Sequence, residues 1–227
     1  MTFLSLVLAG NASVFAQSVT GCLGQWPNWA QTPFATTWAI SPTVYQGALS
    51  IPGVAGAIVN GSNVWSVTDA AGRLAGWNGI VTGSDCPTGQ PFQVTAYPFA
   101  TSGSCPLAAP GSYNLVAQAE TVLAFADMWQ CAGCGSKSVS INLSRPWSVD
   151  PNPFPHEYDL ESVVAHEFGH VLGSLHLEAG TCNYLATPSL TCGASPNKPT
   201  MANNIYAGET CGRTLAPDDI SNMNSLY

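Results

Sequence analysis

The sequence predicts an α+β fold with five strands and three helices in one domain. Five short segments are rich in Thr, Val and aromatic residues and are bounded by Gly, Pro and Ser, the usual dress of strands. Three other segments repeat apolar residues at helical spacing. No internal repeat and no linker divides the chain, and its 227 residues suit one domain behind a processed N-terminus.

Taken in order, residues 17–33 are rich in Trp, Pro and Gly without periodicity and read as an extended N-terminal arm. A first strand is expected over 34–40. Val54, Ile58, Gly61 and Trp65 then recur at helical spacing, which predicts a helix over 51–66, with Gly61 as a weak point inside it. Strands follow over 74–81 and 92–99, then a Gly/Pro/Ser loop over 102–113. Two more strands are expected over 121–129 and 138–143, and a Pro-rich connection over 146–155. Asp159 is a good N-cap for a second helix ending near Leu172, with Gly173 just past its end. Loops dominate 173–214. Pro217, Asp218 and Asp219 open a last helix, because proline suits the first turn and acids suit the positive N-terminus. Ile220, Met223 and Tyr227 continue it at helical spacing.

Composition narrows the partners. Apolar residues make up 46% of the chain, enough for a full core, whereas charged residues are only 8% against roughly 25% in an average soluble protein. The net charge is −8 with five Lys and Arg in all, so nothing here neutralises a run of phosphates. A nucleic-acid partner and an anionic membrane surface are both disfavoured. Residues 3–10 form an apolar run too short to span a bilayer, followed by Val14-Phe15-Ala16, which predicts a secretion signal over 1–16 despite the lack of a preceding Lys or Arg; an N-terminal strand or a short buried helix is the alternative.

Eight cysteines agree with export, since an even count in that context predicts disulfides. Cys182 and Cys192 flank one loop and are expected to pair. Cys131 with Cys134, Cys86 with Cys105 and Cys22 with Cys211 are weaker pairings among the roughly 105 that eight cysteines allow. Asn60-Gly61-Ser62 and Asn142-Leu143-Ser144 match glycosylation acceptors, a short and weak signal.

The chemistry lies in His166-Glu167-Phe168-Gly169-His170-Val171-Leu172-Gly173-Ser174-Leu175-His176. Two histidines four apart on a helix stand one turn apart on one face, so both can reach one ion. Glu167 beside the first can address a water there. Gly173 permits a sharp turn that brings His176 round as third ligand. Three protein ligands with an open fourth position describe a catalytic rather than a structural zinc. An accidental H-E-x-x-H is the bland alternative. It does not account for the third histidine and the glycine at their offsets, nor for three of the four histidines falling in one window. Glu178 as third ligand is a lesser alternative, and His156 reads as a loop side chain.

H-E-x-x-H-x-x-G-x-x-H is the signature of metzincin zinc peptidases, which the chain resembles. Lys198-Pro199-Thr200-Met201-Ala202 is similar to their methionine turn, with Met201 as that methionine; ordinary core packing is its alternative. Tyr158-Asp159-Leu160 and the run from Arg213 to Ile220 before Leu226-Tyr227 resemble the matrixin branch. The chain departs from that pattern at Leu177, where matrixins carry Ser, and at Asn203, where an astacin-like tyrosine ligand would stand. Cys22 lacks the Arg and Pro of a matrixin latency segment.

The resemblance implies a zincin-like catalytic domain over 34–227, with a twisted, mainly parallel five-stranded sheet, an antiparallel edge strand over 121–129 and three helices. It also implies a secreted, monomeric endopeptidase acting on polypeptides with one catalytic Zn2+ and Glu167 as general base. After the three ligands only His156 remains for a second zinc, while acids such as Asp85 or Asp150 leave Ca2+ as another candidate ion. Tyr206 and Val163 are the expected walls of the pocket for the residue after the cut, and that pocket would be uncharged. A catalytically silent binding protein on the same scaffold and a hydrolase of a non-peptide bond are the rival readings.

Overall fold

The computed structural model describes residues 12–13, 36–40, 42–71, 74–80, 92–97, 123–127, 138–177, 198–202 and 204–227. The strands in chain order are β1 (Ala12–Ser13), β2 (Thr36–Ile40), β3 (Leu74–Ile80), β4 (Phe92–Tyr97), β5 (Ala124–Asp127), β6 (Ser138–Asn142), β7 (Trp147–Ser148), β8 (Tyr158–Asp159) and β9 (Asn204–Ile205). The helices are α1 (Val54–Asn63), α2 (Leu160–Val171) and α3 (Pro217–Asn224).

Five strands form one sheet in the order β3-β2-β4-β6-β5. β2 pairs in parallel with β3 and β4, and β4 in parallel with β6. β5 closes one edge antiparallel to β6. Parallel neighbours need long crossovers, and α1 supplies the one between β2 and β3. Along β6, Val139, Ser140, Ile141 and Asn142 are all buried, so both faces of that strand are covered, as parallel sheets require. Two-residue pairs join β7 to β8 in parallel and β1 to β9 antiparallel.

The core lies where α1 crosses α2. Val54, Ala57, Ile58 and Trp65 face Val164 and Phe168 across it, all buried. Gly61 makes the crossing tight: a Cβ there would sit 2.7 Å from the Glu161 carbonyl oxygen and 2.9 Å from the Ala165 nitrogen. The glycine that weakens α1 as an isolated helix is what lets the two backbones meet. The helical segment expected over 51–66 divides because of a contact distant in sequence. Residues 54–63 are α-helical, and Val64–Val67 tightens into a 3-10 turn that places the Trp65 indole N–H 2.8 Å from the Ala165 carbonyl.

α2 is almost wholly buried; Glu161 alone in it is partly exposed. Its N-terminus is correspondingly well satisfied. Asp159 accepts hydrogen bonds from the Ser162 amide at 2.9 Å and the Ser162 hydroxyl at 2.6 Å. Arg213 then grips the same carboxylate through Nε at 2.9 Å and Nη2 at 2.5 Å, the bidentate form that makes such pairs strong. Gly173, at φ +104°, ends the helix in the left-handed region. No helix among the described residues is long and apolar enough to cross a membrane.

Candidate metal centre

His166 and His170 project from one face of α2, and the turn at Gly173 returns the chain so that His176 meets them. Their ligating atoms all lie within 4.8 Å of one another, and the three residues are at most 3% exposed. Nε2 of His166 stands 3.0 Å from Nε2 of His170 and 3.1 Å from Nε2 of His176. Nδ1 of His166 lies 2.7 Å from the Thr200 carbonyl oxygen, and Nδ1 of His170 lies 2.7 Å from that of Ser174. A carbonyl oxygen only accepts, so both Nδ1 atoms must donate a proton. Both Nε2 atoms are then bare lone pairs, and two lone pairs 3.0 Å apart repel unless a cation lies between them.

That arrangement fits a metal. Four ligands held about 2.0–2.1 Å from one ion in a tetrahedron lie roughly 3.3 Å apart, close to the spacing found. The carbonyl partners of the outer ring nitrogens are the usual way a metal-binding histidine is held in tautomer and orientation. Burial depresses the basicity of all three, helped at His166 and His176 by repulsion from neighbouring rings: His166 lies well below 6.5, His170 falls to about 4 and His176 to about 2. They are neutral donors at physiological pH. The three buried histidines therefore form a group that could hold a metal ion.

Glu167 is fully buried, and neither of its carboxylate oxygens has a hydrogen-bond partner of ordinary geometry. Burial raises its pKa well above the usual carboxylate range, tempered only by the backbone of Ala126 on β5. A buried carboxyl group so poorly satisfied, next to a ring whose Nε2 is a bare lone pair, is costly on its own. A cation in the histidine cluster would supply the opposite charge that favours its ionised form.

The support beneath this cluster is built from residues distant in sequence. Asp219 on α3 accepts backbone hydrogen bonds from Thr200 at 2.7 Å, Met201 at 3.0 Å and Ala216 at 2.9 Å. Burial lifts its pKa to about 6 in spite of those three donors; acceptor-only geometry to three amides still requires the carboxylate at neutral pH. Asp219 thus holds the turn whose Thr200 carbonyl orients His166. Met201 is fully buried, its carbonyl accepts from the Leu177 amide at 2.9 Å, and its sulfur occupies the space where a Cβ on Gly169 would lie. Lys198 and Glu209 form a buried ion pair across the two ends of the same segment, at 2.5 and 2.7 Å.

The sequence singled out the three histidines, which the fold brings together, and Glu167 and Met201 lie among the buried residues around them. It did not distinguish Thr200, Ser174, Asp219 or the Lys198–Glu209 pair. Asp218 and Asp219 read alike as acids at a helix start; only the three-residue offset from Ala216 hinted that Asp219 turns back. Val163 is fully buried, and Tyr206 is half-buried with the Lys198 ammonium 4.8 Å from its ring centre. His156 is exposed and stacks on Phe154, with ring centres 6.0 Å apart. Asp150 is exposed and lends its carbonyl to Arg213. Cys211 is disulfide-bonded; the other seven cysteines, including Cys182 and Cys192, and also Asp85, Glu178 and Asn203, lie outside the described residues. Compared with known protein families and with curated proteins, the chain matches none.

Proposed function

We propose that the chain is a secreted zinc endopeptidase of metzincin type, most like the matrixins, with a zincin-like fold. One observation carries the proposal: three buried histidines bring their ring nitrogens to one point, two of them with bare Nε2 atoms, and Glu167 beside the first is a buried carboxyl group with no side-chain partner. The H-E-x-x-H-x-x-G-x-x-H spacing and Met201 support the family reading. Three neutral nitrogen ligands with a fourth position free suit zinc better than calcium, which takes oxygen.

Zinc bound there would lower the pKa of water and polarise a scissile carbonyl. Glu167 takes the proton from the attacking water and hands it to the leaving amine. His166 and His170 keep their Nε2 atoms available because Thr200 and Ser174 occupy their Nδ1 protons. β5 is the terminal strand of the sheet, and the backbone of Ala126 within it acts on the Glu167 carboxyl group. An extended peptide added along β5 would therefore run past the carboxylate, the strand-addition mode of recognition. Tyr206 and Val163 remain the proposed walls for the side chain after the cut.

Digestion of a proteome-derived peptide library tests this. The expected result is cleavage that stops on chelation, returns with zinc, and favours Leu, Phe or Tyr just after the cut. Absence of any cut peptide with zinc bound would favour a silent binding protein or a hydrolase of another bond. Enrichment of charged residues after the cut would overturn the pocket assignment alone.

A further inference from the structure

Asn222 lies on α3, fully buried and far along the chain from the histidine motif. Its Nδ2 donates to Oγ of Ser174 at 2.7 Å. Ser174 is itself 1% exposed and is the residue on which the return turn depends. Its amide donates to the Gly169 carbonyl at 2.9 Å, at the end of α2. Its carbonyl accepts the Nδ1 proton of His170 at 2.7 Å. One residue therefore links the end of α2, the outer nitrogen of a ligand, and a side chain from α3. The last residue of the chain reinforces the contact, since the Tyr227 hydroxyl donates to the Leu172 carbonyl at 2.8 Å.

We propose that Asn222 is a positioning residue for the metal centre: by pinning the Ser174 hydroxyl it fixes the Ser174 peptide plane, and with it the direction and tautomer of His170. The inference rests on the metal-centre reading above. The turn starts from a glycine at positive φ, and although Ser174 and Leu175 are buried, the Ser174 side chain is the point at which α3 holds the peptide plane. A carbonyl that rotates away releases the His170 ring, and the Nε2 lone pair then leaves the point shared with His166. Asn222 blocks that rotation from outside the turn. Asp219 does the corresponding work for His166 through Thr200, so α3 carries a separate support for each of two ligands.

The test is zinc affinity of the full-length chain, by competition with a chromophoric chelator, with thermal melting of the metal-free protein measured in parallel. Asn222→Ala, Ser174→Ala and the double variant are compared with wild type. Loss of a direct outer partner of a metal-binding histidine weakens affinity by roughly 10- to 100-fold; Asn222 acts one step further out, through Ser174, so the expected fall for Asn222→Ala is about 10-fold, the low end of that range. If Asn222 acts through Ser174, the double variant falls no further than the worse single variant. Ser174→Ala removes one oxygen and keeps the probe usable should Asn222→Ala fail to fold. Unchanged zinc affinity with a lowered melting temperature would make the bond merely structural and overturn the proposal, as would strictly additive losses. A wild-type chain that binds no zinc overturns the metal-centre reading itself, and this inference with it.

Discussion

His170 is the residue on which the site turns, because it is both a ligand and the link to the return turn through Ser174. His170→Ala should remove metal and hydrolysis together, and zinc content measured beside activity checks it; activity surviving without metal would contradict the assignment. Asp219→Asn should act more mildly. The amide can accept through one oxygen only, so at least one of the Thr200, Met201 and Ala216 amides loses its partner, at about 1–3 kcal/mol of stability by denaturant unfolding. The histidines were legible because ten positions span the first to the third ligand, and a helix followed by a glycine turn is local geometry. Thr200 lies 34 residues from His166, and Asn222 lies 48 from Ser174. No periodicity encodes contacts at that range, so the supports of the ligands could not be read from spacing.

At the scale of elements, the crossing of α1 on α2 depends on Gly61. Alanine normally gains about 1 kcal/mol over glycine inside a helix. Here its Cβ would press on the Glu161 carbonyl and the Ala165 nitrogen, both backbone atoms that cannot swing aside. Gly61→Ala should therefore destabilise by about 1–3 kcal/mol net, a fall of roughly 2–12 °C in melting temperature for a chain this size; a rise would refute the close approach. The two glycosylation motifs also separate at this scale. Asn60 is exposed on α1, with its amide 3.4 Å from Glu161. Asn142 ends β6 fully buried, its Oδ1 accepting from the Ser144 amide at 2.9 Å. Expressed through a eukaryotic secretory route, folded protein should carry a glycan at Asn60 and none at Asn142, which peptide mass mapping after glycan removal reads directly. The boundary of α1 was not legible, because its 3-10 end is set by the Trp65–Ala165 bond across 100 residues.

For the molecule as a whole, the buried titratable groups set the pH response of the metal-free protein. The three histidines have depressed pKa values, so their contribution is present above about 6.5 and lost as pH falls. His170 alone, drawn to about 4, withdraws on the order of 3 kcal/mol by that pH. Glu167 and Asp219 have raised values and act in the opposite sense, their contribution fading as pH rises through the folded pKa. Three histidines outweigh two acids, so metal-free stability should fall between pH 6.5 and 4 in denaturant titrations; a rise over that window would contradict the burial of the neutral rings. Segment by segment, strands were legible as short β-branched runs, but their order in the sheet was not, because pairing between β4 and β6 skips over β5. The central claim meets its most direct test in Glu167→Gln, with zinc content and peptide hydrolysis measured on the same preparation. The expected result is one zinc per chain, as in wild type, with turnover down by at least roughly 100-fold, the low end of what a general base supplies. Near-normal turnover with zinc bound would contradict the account.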